Sequence, residues 1–193
     1  MKSSIIALSE KISVKKALIS TLVFPVLLWL IDFSPIGVAG LLKITDGVGI
    51  LDYESRYTAD FAYLWLESMT EAGRYFHLTR IMPLDIIYPP SLMCFMFSWL
   101  SLILKKSAKE KSPLWYSLIL PPIYLLLDWI ENIGITAMLL KFPGRLDGIA
   151  VATGIVTSVK KAVVLLIIIL FIIQLTVFLI RKIKGDADAK VKG

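Results

Sequence analysis

The chain has 193 residues, of which 57% are hydrophobic and only 19% are charged. Soluble domains average about 45–50% apolar and about 25% charged residues, so the composition favours a membrane protein. The net charge of +6 would suggest a nucleic-acid partner in a soluble protein. Here the basic residues flank apolar runs, so we exclude nucleic acid and assign them to orientation in the lipid bilayer. The single cysteine, Cys94, excludes an internal disulfide and a CxxC redox pair.

Four apolar segments are long enough to cross a membrane, because a bilayer core of about 30 Å takes roughly 20 helical residues. They are residues 17–33, 81–104, 113–140 and 162–180. The first segment could instead be a signal peptide. Its basic N-terminal region is long, however, and "GVAG" at 37–40 is only a loose cleavage site, so we interpret it as a retained span.

An amphipathic helix is predicted over residues 58–73, between the first and second spans. Thr58 can cap its start and Gly73 can end it, while "SPIGVAG" and "TDGVG" before it are typical of loops. Such a helix lies on a membrane surface or caps a bundle. The predicted fold is therefore all-α: one integral membrane domain built as a four-helix transmembrane bundle with an extracytoplasmic amphipathic helix. Its apolar face is predicted to consist of Phe61, Trp65, Ser68 and Ala72.

Basic residues are concentrated on one side of the predicted bundle. The positive-inside rule therefore places both termini in the cytoplasm, which we expect to be that of a bacterium, with the chain in its inner membrane. The tail at 181–193 is predicted to be disordered and solvated. The basic residues on that side are Lys2, Lys11, Lys15, Lys16, Lys105, Lys106, Lys109, Lys111, Arg181, Lys182, Lys184, Lys190 and Lys192.

Acidic side chains recur at nearly one depth in three predicted spans. With a rise of about 1.5 Å per residue, Asp32, Asp128 and Asp85 lie about 23, 21 and 24 Å from the cytoplasmic edge. Glu131 and Asn132 follow Asp128 at i+3 and i+4, so they share its helix face. We therefore predict an outward-facing polar cluster. The candidate residues are Asp32, His77, Arg80, Asp85, Asp128, Glu131, Asn132, Lys160 and Lys161.

Two interpretations of this cluster stay open. The carboxylates can pair with Lys160, Lys161 or Arg80 and only lock helices together, as in a structural or accessory subunit. Alternatively they form a pocket that binds or translocates a small polar ligand or cation. Prolines favour the second interpretation, because they free backbone carbonyls that need a partner. The prolines are Pro83, Pro89, Pro90, Pro121 and Pro122.

An enzyme acting on a lipid, with one carboxylate as acid or base, is a third class of function. The sequence has no GxSxG, HExxH or P-loop motif to support a named reaction. It also has no recognised metal-ligand spacing, so we predict neither a metal site nor a cofactor. The expected partners are the bilayer and a lipid or small polar ligand, and the sequence leaves the oligomeric state open.

Several motifs in their order along the chain resemble a group of small multi-pass bacterial membrane proteins without an established activity. The matching stretches are "YTADFAYLWLESMTEAGRYF", "LDIIYPPSLM", "LPPIYLLLDWIEN" and "TSVKKAVVLL". They cover most of the chain after residue 56. The resemblance implies a bacterial multi-pass protein, and it assigns no catalytic residue.

Overall fold

The computed structural model describes residues 2–109 and 111–191, and within these ranges the fold is all-α, with no strand, as predicted. The α-helices are α1 (Lys2–Glu10), α2 (Val14–Asp32), α3 (Val38–Ile44), α4 (Ala59–Ser68), α5 (Glu71–Phe76), α6 (Met82–Ser107), α7 (Leu120–Lys141) and α8 (Asp147–Val191). Three shorter elements complete the chain, namely the 3-10 turn Leu51–Tyr53, the π-helical segment His77–Ile81 and the 3-10 helix Pro113–Ile119.

Four helices within the described residues are long and apolar enough to cross a membrane, and they overlap the four predicted spans. They are Val14–Asp32, Glu71–Ser107, Pro113–Lys141 and Asp147–Arg181. The number of long apolar helices is therefore the predicted one, although their ends differ from the prediction.

The largest differences in helix bounds concern α8. This helix begins at Asp147, 15 residues before the predicted start at 162, so Lys160 and Lys161 lie inside it rather than before it. The polar stretch is accommodated in the helix because Thr153 donates a hydrogen bond to the Ile149 carbonyl of its own helix, and Thr153 and Thr157 both lie buried. The helix also continues to Val191 where a disordered tail was predicted, and the last two residues of that tail lie outside the described ranges. The Arg, Lys and Ala residues of this segment have high helix propensity.

The predicted amphipathic helix at 58–73 is two helices. Thr58 caps α4 as predicted, by accepting a hydrogen bond from the Phe61 amide at 3.2 Å. Gly73 does not end the helix, because Thr70 accepts from the Gly73 amide at 3.1 Å and starts α5 instead. The predicted apolar face is also wrong except for Trp65, since Phe61, Ser68 and Ala72 are exposed. The buried residues of this face are Ala62, Tyr63, Trp65, Leu66 and Met69.

The segment "SPIGVAG", predicted to be a loop, runs into helix α3. Gly40 permits this because its backbone lies against Pro35, where an added Cβ would be 1.9 Å from the Pro35 carbonyl oxygen. The loop prediction holds after α3, where Asp46 and Gly47 adopt positive φ angles in a turn. The π-helical segment His77–Ile81, which joins α5 to α6, was not predicted.

Helices α7 and α8 form a close-packed pair joined by residues 142–146. Gly134 makes the approach possible, because an added Cβ would lie 2.0 Å from Thr153 Oγ1 on α8. Gly154 also lies close to the chain before α4, where an added Cβ would be 2.6 Å from the Tyr57 carbonyl oxygen. Absence of a side chain at these two positions sets the separation of the elements that carry the polar cluster.

Two apolar clusters lie on either side of this polar layer. On α7, Tyr124 packs into one cluster and Ile135 into the other, with Asp128 and Glu131 between them. The polar residues are therefore enclosed by hydrophobic side chains in both directions along the helix. The first cluster includes Leu100, Leu104, Trp115, Leu118 and Ile167, and the second includes Leu41, Leu66, Met69, Ile81 and Met138.

Candidate functional site

Lys160 on α8 lies at the centre of three carboxylates from two other elements. Its Nζ is 3.0 Å from Asp128 Oδ1 and 3.2 Å from Asp52 Oδ2, and it also forms an ion pair with Glu131 Oε2. The side chain of Lys160 is 9% exposed and that of Glu131 is fully buried. We call Asp52, Asp128, Glu131 and Lys160 the Lys160 cluster.

Two polar side chains extend the Lys160 cluster. Thr157, one helical turn from Lys160, donates a hydrogen bond to Glu131 Oε1. Asn132 Nδ2 donates to Asp128 Oδ2 at 3.2 Å and to the backbone oxygen of Asp85 at 3.1 Å. The i, i+4 spacing predicted the first Asn132 contact, and the second connects α7 to α6. The cluster is thus supported by three helices and the turn that carries Asp52.

The charges of this layer do not balance. One ammonium faces three carboxylates, and Asp85, only 5% exposed, makes no side-chain hydrogen bond or ion pair with any described residue. An unpaired charge in a low-dielectric interior costs several kcal/mol even after relaxation. The excess negative charge therefore needs a further positive charge, which a proton or a bound cation would supply.

The arrangement also bears on metal binding, which the sequence did not predict. Oxygen atoms of Asp52, Asp128 and Glu131 lie within 4.8 Å of one another, and carboxylate oxygens are the ligands of hard cations. Lys160 Nζ contacts all three carboxylates, so its ammonium occupies the place a metal ion would take. A metal ion would have to displace Lys160 before it could bind these three oxygens.

Asp32 and Lys161 do not join the cluster but hold the turn that carries Asp52. The Tyr53 hydroxyl donates to Asp32 Oδ1 at 3.2 Å, and burial together with the Asp32 carboxylate raises the pKa of Tyr53 to about 12. Lys161 Nζ donates to the carbonyls of Tyr53 and Glu54 at 2.9 and 2.6 Å. Successive helical residues are about 100° apart around the axis, so Lys160 and Lys161 face different partners.

The structure does not bring His77 or Arg80 into the Lys160 cluster, contrary to the prediction. His77 is 1% exposed and lies edge-on to Trp65, with a centroid separation of 5.6 Å. Neither of its ring nitrogens has a partner in the described part of the chain. Arg80 is exposed, and it forms no ion pair with the residues that the structure describes. Both belong to the π-helical segment, which the sequence did not reveal.

Sequence reasoning missed two members of the site. Asp52 lies in the long segment between the first two spans, and no local pattern distinguishes it from other loop carboxylates. Thr157 was detectable in principle, because Thr153, Thr157 and Lys160 recur at helical spacing on one face of α8. It was missed because this part of α8 was not predicted to be helical.

No family model matches the chain, and no curated protein or solved structure matches it. The class of protein is therefore defined by the structure itself. Over residues 2–109 and 111–191 it is an all-α protein with four helices long and apolar enough to cross a membrane. A buried carboxylate–lysine cluster lies between those helices. The resemblance to small multi-pass bacterial proteins stays a prediction.

Proposed function

We propose that this protein is an integral membrane protein that binds a small cation beside the Lys160 cluster, next to the Asp85 carboxylate. The observation that carries the proposal is the charge imbalance, in which three carboxylates surround one ammonium and Asp85 lies buried beside them without an ionic partner among the described residues. Such a site attracts positive charge more strongly than a balanced ion pair does. If these carboxylates exchange a bound cation for protons, the protein can also carry the cation across the membrane. Cation translocation is therefore an extension of the same proposal.

The proposed location is the inner membrane of a bacterium, with both termini in the cytoplasm. The support is the distribution of basic residues, which are concentrated on the side of the bundle that carries both termini. In this orientation α4 and α5 lie outside the cytoplasm, and the long apolar helices form a four-helix bundle. The Lys160 cluster then faces the extracytoplasmic side, because Lys160 precedes the most apolar run of α8.

The main alternative is a structural role in which the charges only lock helices together. Lys160 does connect α8 to α7 and to the Leu51–Tyr53 turn, which supports this alternative. A lock, however, needs one carboxylate for each ammonium, and each extra buried carboxylate adds desolvation cost without adding a partner. The excess of carboxylates over ammonium groups therefore favours cation binding over a purely structural role. An enzyme acting on a lipid depends on the same carboxylates, and a modified lipid retained in native mass spectrometry would support it.

We expect a small cation to raise the melting temperature of the wild-type protein in detergent, and to raise that of Asp85→Asn much less. Ligand at 100 times its Kd stabilises a protein by about 2.7 kcal/mol, and 1 kcal/mol shifts Tm by about 2–4 °C at this chain length, so we expect about 5 °C or more. The probes are sodium, potassium, magnesium, calcium and methylammonium chlorides, with tetramethylammonium chloride holding the ionic strength constant.

Asp32→Asn is the matched control for this experiment. It removes one half-buried carboxylate outside the Lys160 cluster, so its response to cations should equal that of the wild type. The proposal fails if none of the five salts shifts the wild-type Tm more than it shifts that of Asp85→Asn. The structural role is then the better account of the cluster.

A further inference from the structure

A groove between α6 and α7 opens on the lipid-facing surface beside the Lys160 cluster. Its volume is about 600 Å³. Asn132 and Thr136 are its polar lining residues, and Trp129, 38% exposed, lies along it with its indole N–H donating to the Ile86 carbonyl at 3.4 Å. Apolar side chains form the rest of the wall. They are Met82, Ile86, Ile133, Ala137 and Leu140.

Asn132 is the side chain shared by the groove and the Lys160 cluster. It lines the groove, while its Nδ2 is bonded to Asp128 Oδ2 and to the Asp85 backbone oxygen. Asn132 is only 6% exposed, and its Oδ1 has no hydrogen-bond partner in the described part of the chain. A buried acceptor without a partner is costly, so a ligand that donates a hydrogen bond here is favoured.

The chemistry of the free groups defines the ligand class. The unpartnered Asn132 Oδ1 and the Asp85 carboxylate are acceptors, and the layer around them carries excess negative charge. A complementary head group therefore carries N–H donors and positive charge, as a primary ammonium does. The apolar walls of the groove suit a hydrocarbon chain. Carboxylates and phosphates are disfavoured, because they would add negative charge to the layer.

We infer that the cation bound by this protein is the head group of a long-chain primary amine, which enters from the bilayer through the α6–α7 groove. This inference rests on the proposed cation-binding function and specifies its ligand. The hydrocarbon chain lies along Trp129 and Ile133, and the ammonium donates to Asn132 Oδ1 beside Asp85.

Fluorescence quenching tests the inference directly. Dodecylamine carrying a bromine on its chain is titrated into the full-length protein in phosphatidylcholine nanodiscs, and tryptophan emission is measured. We expect saturable quenching that Trp129→Phe abolishes. Ala137→Phe fills the groove and should raise the half-saturating concentration at least tenfold. Val151→Phe, on an exposed apolar position of α8, should leave it unchanged.

Two further arms separate this inference from the proposed function. Brominated dodecanol has the same chain without the charge, so equal saturable quenching by it would overturn the inference. Methylammonium has the charge without the chain, and its effect on Tm measures the cation site alone. If methylammonium raises Tm while the brominated amine shows no saturable quenching, the groove inference fails and the cation site stands. If the brominated amine shows no saturable quenching and none of the five salts raises the wild-type Tm more than that of Asp85→Asn, both fail.

Discussion

Lys160→Met is expected to lower the free energy of unfolding by about 3–5 kcal/mol, the usual effect of removing one partner from a buried ion pair. The methionine side chain keeps nearly the same volume but removes the ammonium that contacts Asp52, Asp128 and Glu131. Their mutual repulsion is then uncompensated. The measurement is chemical or thermal unfolding of the purified protein in one detergent.

Lys161→Met provides a matched control at the next residue. Lys161 donates to two backbone carbonyls and contacts no carboxylate of a described residue, so we expect its loss to lower stability by about 1 kcal/mol, as for a typical hydrogen bond. Adding Asp128→Asn and Glu131→Gln to Lys160→Met should restore most of the lost stability, because the charges left unpaired are removed. Equal effects of Lys160→Met and Lys161→Met would contradict the central role of Lys160.

Gly134→Ala is expected to destabilise the protein by about 1–3 kcal/mol, the range found for overpacked cores. The new Cβ would lie 2.0 Å from Thr153 Oγ1 and 3.1 Å from Thr153 Cβ, so α7 and α8 must separate. Because Lys160 reaches Asp128 and Glu131 across this same seam, we also expect the cation-dependent rise in Tm to weaken. Unfolding curves with and without the cation that stabilises the wild type measure both effects.

The control and the rescue for this change are both available in the chain. Gly148→Ala also places alanine in α8, but an added Cβ meets no atom within 4 Å. It should be neutral, or stabilising by up to about 1 kcal/mol through helix propensity. Thr153→Ala removes Oγ1 and Cγ2, so it should recover part of the loss in Gly134→Ala. Without such recovery, the α7–α8 contact is not the cause of the destabilisation.

These two predictions examine different requirements of one site. Lys160→Met tests whether the ammonium holds the carboxylates together, and Gly134→Ala tests whether helix separation sets their distance. The cation experiments with Asp85→Asn then ask what the remaining negative charge is for. A protein that needs Lys160 and Gly134 but ignores every cation would be a helix-locked scaffold, whereas a response that depends on Asp85 identifies a binding site.

Local sequence patterns determined much of the fold. Runs of apolar residues predicted four long helices, because a bilayer-spanning helix must be apolar over about 20 residues. The i, i+3 and i+4 spacing of Asp128, Glu131 and Asn132 predicted one shared face, because 3.6 residues complete a helical turn. The prediction of helix caps was less complete. Thr58 was recognised as the cap of α4, but Thr70, the cap of α5, was not. The predicted helix therefore continued through the break between α4 and α5.

Only the tertiary structure decided which charges meet. Asp32 and Asp85 have similar predicted depths, yet Asp32 bonds Tyr53 while the backbone of Asp85 bonds Asn132. Depth along an axis is a local property, whereas the rotation of each helix about its axis depends on contacts such as that of Gly134 with Thr153. Asp52 joins the site through the fold of residues 33–58, which no periodic pattern describes. The sequence alone determined the four long apolar helices and the shared polar face of α7, and the packing between elements decided that Lys160, rather than Lys161, lies among the carboxylates.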